Sequence, residues 1–259
     1  MNIDKIIKLL EDELKIKAQE PWDNSGLQIG SMEKDINNIM LTLDADLEAV
    51  NYAADNNIEL IITHHPFFFS PIKSIDLASY EGKIIQKLIK NNINLYSLHT
   101  SFDMADVGVN KKLSELLSIK DYDVLHVSGS DLSGYGGVGN IAPVNIIEYA
   151  DQVKNKLGAD HVKLYCNSSE RVIERVAFCG GSGSDFIDNA IEKEADVYIT
   201  GDIKYHQAQS ALRNNLCIID AGHYYTEYLS MENIKKALLK EEQLKVKMLT
   251  KNTVKEQII

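Results

Sequence analysis

An α/β protein of two similar halves, each with a mainly parallel sheet, is the architecture the sequence predicts. Short β-branched runs alternate with stretches of helical apolar spacing along nearly the whole chain. A glycine- and serine-rich passage at 120–144 interrupts that alternation. On either side of it the same order recurs: strand, polar turn, strand, then a histidine with an acid four residues on.

Taken in order, Ile3, Ile6, Ile7, Leu10 and Leu14 recur at the helical period and give a first helix one buried stripe, with Asp4 suited to its start. Pro21 to Gly26 is a turn cluster. NIMLTLD at 38–44 then reads as a strand, followed by a helix from about 46, the strand LIIT at 60–63, and a helix near 80–91. The run NLYSL at 94–98 and a helix near 109–118 complete the first half. The passage at 120–144 reads as a hairpin or domain crossing, so the halves are placed at 1–122 and 123–259. Beyond it come a helix near 145–157, strands near 162–166 and 172–179, and a helix from 184. VYIT at 197–200, a helix near 204–213, CIID at 217–220 and a long helix from about 224 follow. QLKVKMLT alternates enough for a closing strand at a sheet edge.

At 259 residues the chain holds one to two domains with a real core. Its 44% hydrophobic and 25% charged content is ordinary globular composition. The 38 acids against 27 bases give a net charge of -11, which disfavours non-specific nucleic-acid binding. No run approaches the length of apolar sequence needed to span a membrane. Cys166, Cys179 and Cys217 are widely spaced without a C-x-x-C pattern, so they read as buried free thiols. Together with the acid-containing N-terminus, they lead to a cytoplasmic expectation.

The chemistry concentrates at strand ends, where open α/β sheets place their ligands. Ile62-Thr63-His64-His65 ends one strand, and the next leads into His99-Thr100-Ser101-Phe102-Asp103. Ile199-Thr200-Gly201-Asp202 ends another, and its successor leads into His223-Tyr224-Tyr225-Thr226-Glu227. His223 and Glu227 share a helix face, and His99 and Asp103 repeat the spacing. His64 and His65 would point to opposite faces of a flat strand, so using both requires two neighbouring ions or an irregular strand end, and Pro66 ends the strand there. A metal site between the halves accounts for the pattern. Imidazole and carboxylate without thiolate suit zinc, manganese, iron or cobalt, and Asp103 and Glu227 can bridge or chelate two close ions. Metal-assisted hydrolysis is the reaction class implied.

Five segments carry a resemblance: PWDNSGLQIG at 21–30, ITHHPFFF at 62–69, LHTSFD at 98–103, ADVYITGDIKYHQA at 195–208 and DAGHYYTE at 220–227. The chain resembles the dinuclear-metal GTP cyclohydrolase I type 2 homologues, also called the interacting-factor-three-like family. That resemblance implies ligands at His64, His65, Asp103, His223 and Glu227 for two divalent ions per chain, and a toroidal homohexamer with the sites facing an internal cavity. His99 lies beside them as a further ligand, a group behind the ligands or a catalytic proton shuttle. The family name points to a small-molecule substrate opened at the GTP imidazole ring, although phosphoester or amide hydrolysis suits the same ligands. A non-catalytic metal-binding, metal-delivery or regulatory hexamer is the other reading. The junction at 120–144 is too short for the extra domain that longer relatives insert, and Gly137 stands where the family's glycine-rich segment is expected to carry arginine.

Other motifs read more plainly. Cys179 to Asp185 lacks the last glycine of a dinucleotide fingerprint and the lysine of a P-loop, and reads as a tight turn with a serine cap. Asp202 and His206 are candidates for a substrate-binding wall, with a helix cap the competing role for Asp202. Phe67, Phe68 and Phe69 read as core or subunit interface, and His126 and His161 as structural or exposed.

Overall fold

In a computed structural model, residues 1–128 and 132–256 are described; 129–131, within the glycine- and serine-rich passage, and 257–259 lie outside the described residues. The chain forms two compact units, Met1–Phe102 with Met231–Ile259, and Asp103–Ser230.

In the first unit the elements are α1 (Ile3–Leu14), β1 (Gly26–Ile29), β2 (Asn38–Thr42), α2 (Leu47–Asp55), β3 (Leu60–Thr63), α3 (Tyr80–Lys90) and β4 (Asn94–Ser97). The short α4 (Thr100–Asp103) ends it and leads into the second unit. The second unit runs through α5 (Val109–Leu116), β5 (Tyr122–Val127), β6 (Gly134–Asn145), α6 (Ile146–Leu157), β7 (Lys163–Tyr165) and β8 (Val172–Phe178). It continues with α7 (Ile187–Glu192), β9 (Val197–Thr200), α8 (Tyr205–Arg213), β10 (Cys217–Asp220) and α9 (His223–Glu227). The chain then returns to the first unit as α10 (Met231–Leu238) and β11 (Lys245–Met248).

The first sheet has the order β1-β4-β3-β2-β11, in which β4, β3, β2 and β11 run parallel and β1 is antiparallel at the edge. All four residues of β3 are buried, as a central parallel strand covered on both faces requires. Met40, Ile61 and Leu95 align across β2, β3 and β4 and form one core with Val50 and Ala53 of α2 and Ile84 and Leu88 of α3. Asn2 caps α1, its side chain accepting from the Lys5 amide, and the predicted stripe is buried, with α1 packing on α10.

The second sheet has the order β5-β6-β8-β9-β10-β7, with β8, β9 and β10 parallel and the flanking strands antiparallel. Val138, Ala177, Tyr198 and Ile218 align across it and pack with Ile187, Ala190 and Ala211. Gly137 lies buried in β6 with the rings of Tyr122 and Phe178 over it, so a side chain there would displace both rings.

Three expectations are corrected. The units do not divide once at 122/123, because β11 pairs in parallel with β2 and carries the C-terminal segment back into the first sheet. The helix from about 224 is broken by a 3-10 turn at Tyr228–Ser230, where the Ser230 hydroxyl donates to the Glu227 carbonyl. Cys166 and Cys217 are joined in a disulfide, their Cα atoms 4.7 Å apart, and only Cys179 among the described residues is a free, buried thiol. The pairing follows from register. β7 and β10 are antiparallel with Tyr165 opposite Ile218, so Cys166, one position after Tyr165, comes opposite Cys217, one position before Ile218.

Candidate metal centre

Three adjacent parallel strands of the first unit end together, and each contributes to one cluster. Asp44 follows β2, His64 and His65 follow β3, and His99 follows β4. The strand end is irregular, as Pro66 predicts: β3 stops at Thr63, whose hydroxyl donates to the His65 carbonyl at 2.8 Å and meets Ser97 Oγ at 2.7 Å. Released from the pleat, His64 and His65 turn towards the same region, with ring centroids 5.1 Å apart. The His99 ring lies 5.3 Å from that of His64 and 5.8 Å from that of His65. One ligand atom from each of the three lies within 4.8 Å of the others, a group that could hold a metal ion. His64 is wholly buried.

The Nδ1 atoms are all occupied by oxygen. His64 Nδ1 meets the Leu98 carbonyl at 2.8 Å, His65 Nδ1 meets Asp44 Oδ1 at 2.7 Å, and His99 Nδ1 meets Asp23 Oδ1 at 2.8 Å. An acceptor at Nδ1 favours the proton there and directs the lone pair of Nε2 outward, the usual arrangement behind metal-binding imidazoles. Asp23 itself is held well below the ordinary carboxylate range. Burial acts the other way, but hydrogen bonds from His99, Thr100 and Ser25 outweigh it.

The second unit repeats the device on its own parallel strands. After β8 comes the Cys179–Gly183 turn, after β9 comes Asp202, and after β10 comes His223. His223 Nδ1 meets Asp202 Oδ2 at 2.8 Å, while its Nε2 stands 3.0 Å from Glu227 Oε2 one helical turn on. Thus each unit pairs an imidazole with an aspartate on the neighbouring strand end: His65 with Asp44, and His223 with Asp202. Burial, followed by the negative charges of Asp103 and Glu227, pushes the Cys179 thiol up, which places both carboxylates within electrostatic reach of one side chain. On α9, Tyr224 stacks on Tyr228 at 4.5 Å and is pushed up to about 12 by burial and then by its tyrosine neighbours.

The glycine turn is held by threonines. Gly181 N donates to Thr226 Oγ1 and Gly183 N to Thr200 Oγ1, both at 2.9 Å, while Ser182 makes no capping bond, which corrects the serine-cap expectation. Asp202 does not cap α8 either. Lys204 occupies that position, and Asp202 faces His223 instead. His206 lies exposed on α8, edge-on to Tyr205. Phe67 packs on the first core, whereas Phe69 is exposed beside Trp22. His126 stacks on Phe186. Asp23 and Asp44 were not anticipated; the signal available was an acid at the end of a neighbouring strand or turn, and Asp202 carried the same signal.

An α/β fold that gathers imidazoles and acids at the carboxyl ends of parallel strands defines a class of protein with groups able to hold metal ions. The chain belongs to the Duf34/NIF3 (NGG1p interacting factor 3) family, which residues 1–256 match. It is 39% identical over 215 residues to a Streptococcus pneumoniae protein named GTP cyclohydrolase 1 type 2 homolog, covering 82% of this chain and 80% of that one. A Helicobacter pylori protein named GTP cyclohydrolase 1 type 2 is 33% identical over 225 residues, covering 87% and 86%. Among solved structures, a Bacillus cereus protein related to NIF3 matches with a TM-score of 0.93 over 100% of this chain and 99% of that one; at 22% identity it bears on the fold alone. Staphylococcus aureus protein SA1388 matches with a TM-score of 0.90 at 28% identity, over 100% and 99%.

Proposed function

We propose that this protein is a dinuclear metal-dependent hydrolase of the GTP cyclohydrolase 1 type 2 homologue kind, acting on a nucleotide-like or phosphoester substrate. The observation that carries the reading is the Nδ1 pairing of four histidines, His64, His65, His99 and His223, each with an oxygen acceptor. Four imidazoles prepared in the same sense are more than packing demands, and nitrogen with carboxylate oxygen suits zinc, manganese, iron or cobalt. In this reading His64, His65, Asp103, His223 and Glu227 would hold about two divalent ions per chain. Bound there, the ions would supply Lewis acidity and a water acidic enough to be a nucleophile near neutral pH. His99 Nε2 is the nearby group able to carry a proton or to serve as a further ligand, and Asp202 and His206 are proposed to border the substrate, with Asp202 also orienting His223. The relatives' names support a purine nucleotide as the first substrate to try. We further propose a toroidal homohexamer, in keeping with the family resemblance, and a cytoplasmic location, which rests on the acid-containing N-terminal segment now that Cys166 and Cys217 are paired. Among the described residues no helix is long and apolar enough to cross a membrane.

Elemental analysis of the purified protein, paired with turnover assays on GTP and generic phosphoesters after loading zinc, manganese, iron or cobalt, tests the reading. About two ions per chain, lost in His64→Ala and Glu227→Gln, with metal-dependent turnover, is the expected result. Bound metal without turnover on any of these substrates would favour the metal-binding or regulatory reading. No bound metal under any loading would overturn both.

A further inference from the structure

Asp23 is a carboxylate with no solvent exposure of its side chain. Its Oδ1 accepts from His99 Nδ1 and from the Asn24 amide, each at 2.8 Å. Its Oδ2 accepts from Ser25 Oγ at 2.7 Å, from Thr100 Oγ1 at 2.6 Å and from the Thr100 amide at 3.1 Å. The two aspartates that serve His65 and His223 are 33% and 55% exposed at the side chain, so Asp23 is set apart by burial as well as by the number of its donors. Burying a carboxylate is costly unless every lone pair is used, and a turn could be closed without one. The surrounding segment is built to keep it in place: Ser25 Oγ also accepts the His99 amide at 3.0 Å, and Thr100 Oγ1 accepts the Glu20 amide at 3.0 Å.

We propose that Asp23 is a positioning residue for His99: it holds the ring with its proton on Nδ1 and presents the lone pair of Nε2 to the region shared with His64 and His65. The turn at 21–26 is therefore part of the metal centre's framework, although Asp23 touches no ion. This inference rests on the reading of that centre as a metal site and takes His99 as a further ligand beside His64 and His65, with which it forms a group able to hold an ion. Asparagine is the informative replacement. Each oxygen of Asp23 receives a backbone N–H, from Asn24 on one side and Thr100 on the other, so whichever way an amide is turned its NH2 opposes a donor. Turned towards His99, it also donates to Nδ1 and drives the ring to the other tautomer.

The experiment is nitrogen NMR of the histidine rings in metal-free protein, followed by cobalt titration read by absorbance, on wild type, Asp23→Asn, Asp23→Ala, His99→Ala and the double variant of Asp23→Asn with His99→Ala. Wild type is expected to show His99 protonated at Nδ1; Asp23→Ala, which leaves Nδ1 without its acceptor, should lose that signature, as should Asp23→Asn with its NH2 turned to His99. Asp23→Asn should weaken cobalt binding by about 10–100-fold, and should have less than about a 2-fold effect once His99 is absent, because sites that act through one another are not additive. A His99 tautomer unchanged in both Asp23→Asn and Asp23→Ala would overturn the inference, as would an equal loss of affinity with and without His99. Should wild type bind no cobalt while its tautomer still depends on Asp23, the metal reading falls and the hold of Asp23 on His99 stands. If Asp23→Asn does not fold, Thr100→Val carries the test, since it removes one donor to Oδ2; a few-fold weaker cobalt binding supports the inference and unchanged affinity opposes it.

Discussion

His223 Nε2 and Glu227 Oε2 stand 3.0 Å apart, and Gly181 lies against both. A methyl group on Gly181 would run into Glu227 Oε1 and stand 3.2 Å from His223 Nε2. The backbone there has φ +62, a left-handed conformation that costs a residue with a Cβ about 1 kcal/mol or more. Gly181→Ala is therefore expected to lower stability by about 2 kcal/mol, strain and clash together, and to weaken cobalt binding by pushing the Glu227 carboxylate aside. Urea unfolding and cobalt titration check the two effects separately. A variant that binds cobalt like wild type would mean that the carboxylate has room to move, and that the glycine serves the turn alone.

Ligand removal should be visible in stability without any assay of turnover. An ion that binds only the folded protein stabilises it by about 2.7 kcal/mol at a hundred times its dissociation constant. For a chain of this size that is a rise of about 5–10 °C in Tm. Chelator-treated protein is expected to melt lower by this amount, and added zinc to restore it. His64→Ala should abolish the response, because the fully buried His64 imidazole is held by the Leu98 carbonyl and cannot be replaced by a mobile surface donor. A zinc-dependent shift that persists in His64→Ala would place the responsible site elsewhere.

Much of this was legible in the chain because the relevant physics is local. The stripe of Ile3, Ile6, Leu10 and Leu14, the runs LIIT, VYIT and CIID, and the proline after His65 each act within a few residues, and the structure has them as helix, strands and strand end. Histidines at the ends of consecutive parallel strands are brought side by side by the topology alone. What the sequence did not disclose depends on partners distant in the chain. Asp23 meets His99 across 76 positions, and Asp44 meets His65 across 21. Cys166 faces Cys217 only because β7 takes an antiparallel edge position beside β10. The return of β11 to pair with β2 is equally non-local, which is why a junction judged from composition does not coincide with the units.

The disulfide makes a chemical prediction. Cys166 and Cys217 are 51 positions apart, and closing a loop of that length stabilises a fold by roughly 2–4 kcal/mol. Alkylation of unreduced, unfolded protein should label Cys179 alone, and labelling after reduction should add Cys166 and Cys217. Cys166→Ser should lower the urea midpoint, whereas Cys179 should resist alkylation in the native state because it is buried. Mass spectrometry of three labelled cysteines without reductant would mean that the bond does not form in solution.

Acid should act on the second unit through Asp196. Its carboxylate accepts the Glu174 and Arg175 amides at 2.9 Å each and pairs with Arg171 at 3.2 Å. Burial alone would raise this group, yet the two amides and Arg171 hold it below its ordinary value. A carboxylate depressed in the folded state adds stability that is fully present above its unfolded value, about 4, and is lost as pH falls through the lower folded value. Because the side chain is about a third exposed and solvent screens the ion pair, the contribution at pH 7 is put at about 1 kcal/mol, below the usual range for charged hydrogen bonds. Asp196→Asn should therefore be less stable than wild type at pH 7 and at pH 5. The gap should narrow as the solution is taken below about pH 4, where the carboxylate of the unfolded wild type begins to protonate while the folded one still holds its charge. Urea unfolding of both proteins across that range makes the comparison. A gap that stays constant, or widens on acidification, would assign the effect of the substitution to packing rather than to the loss of the negative charge.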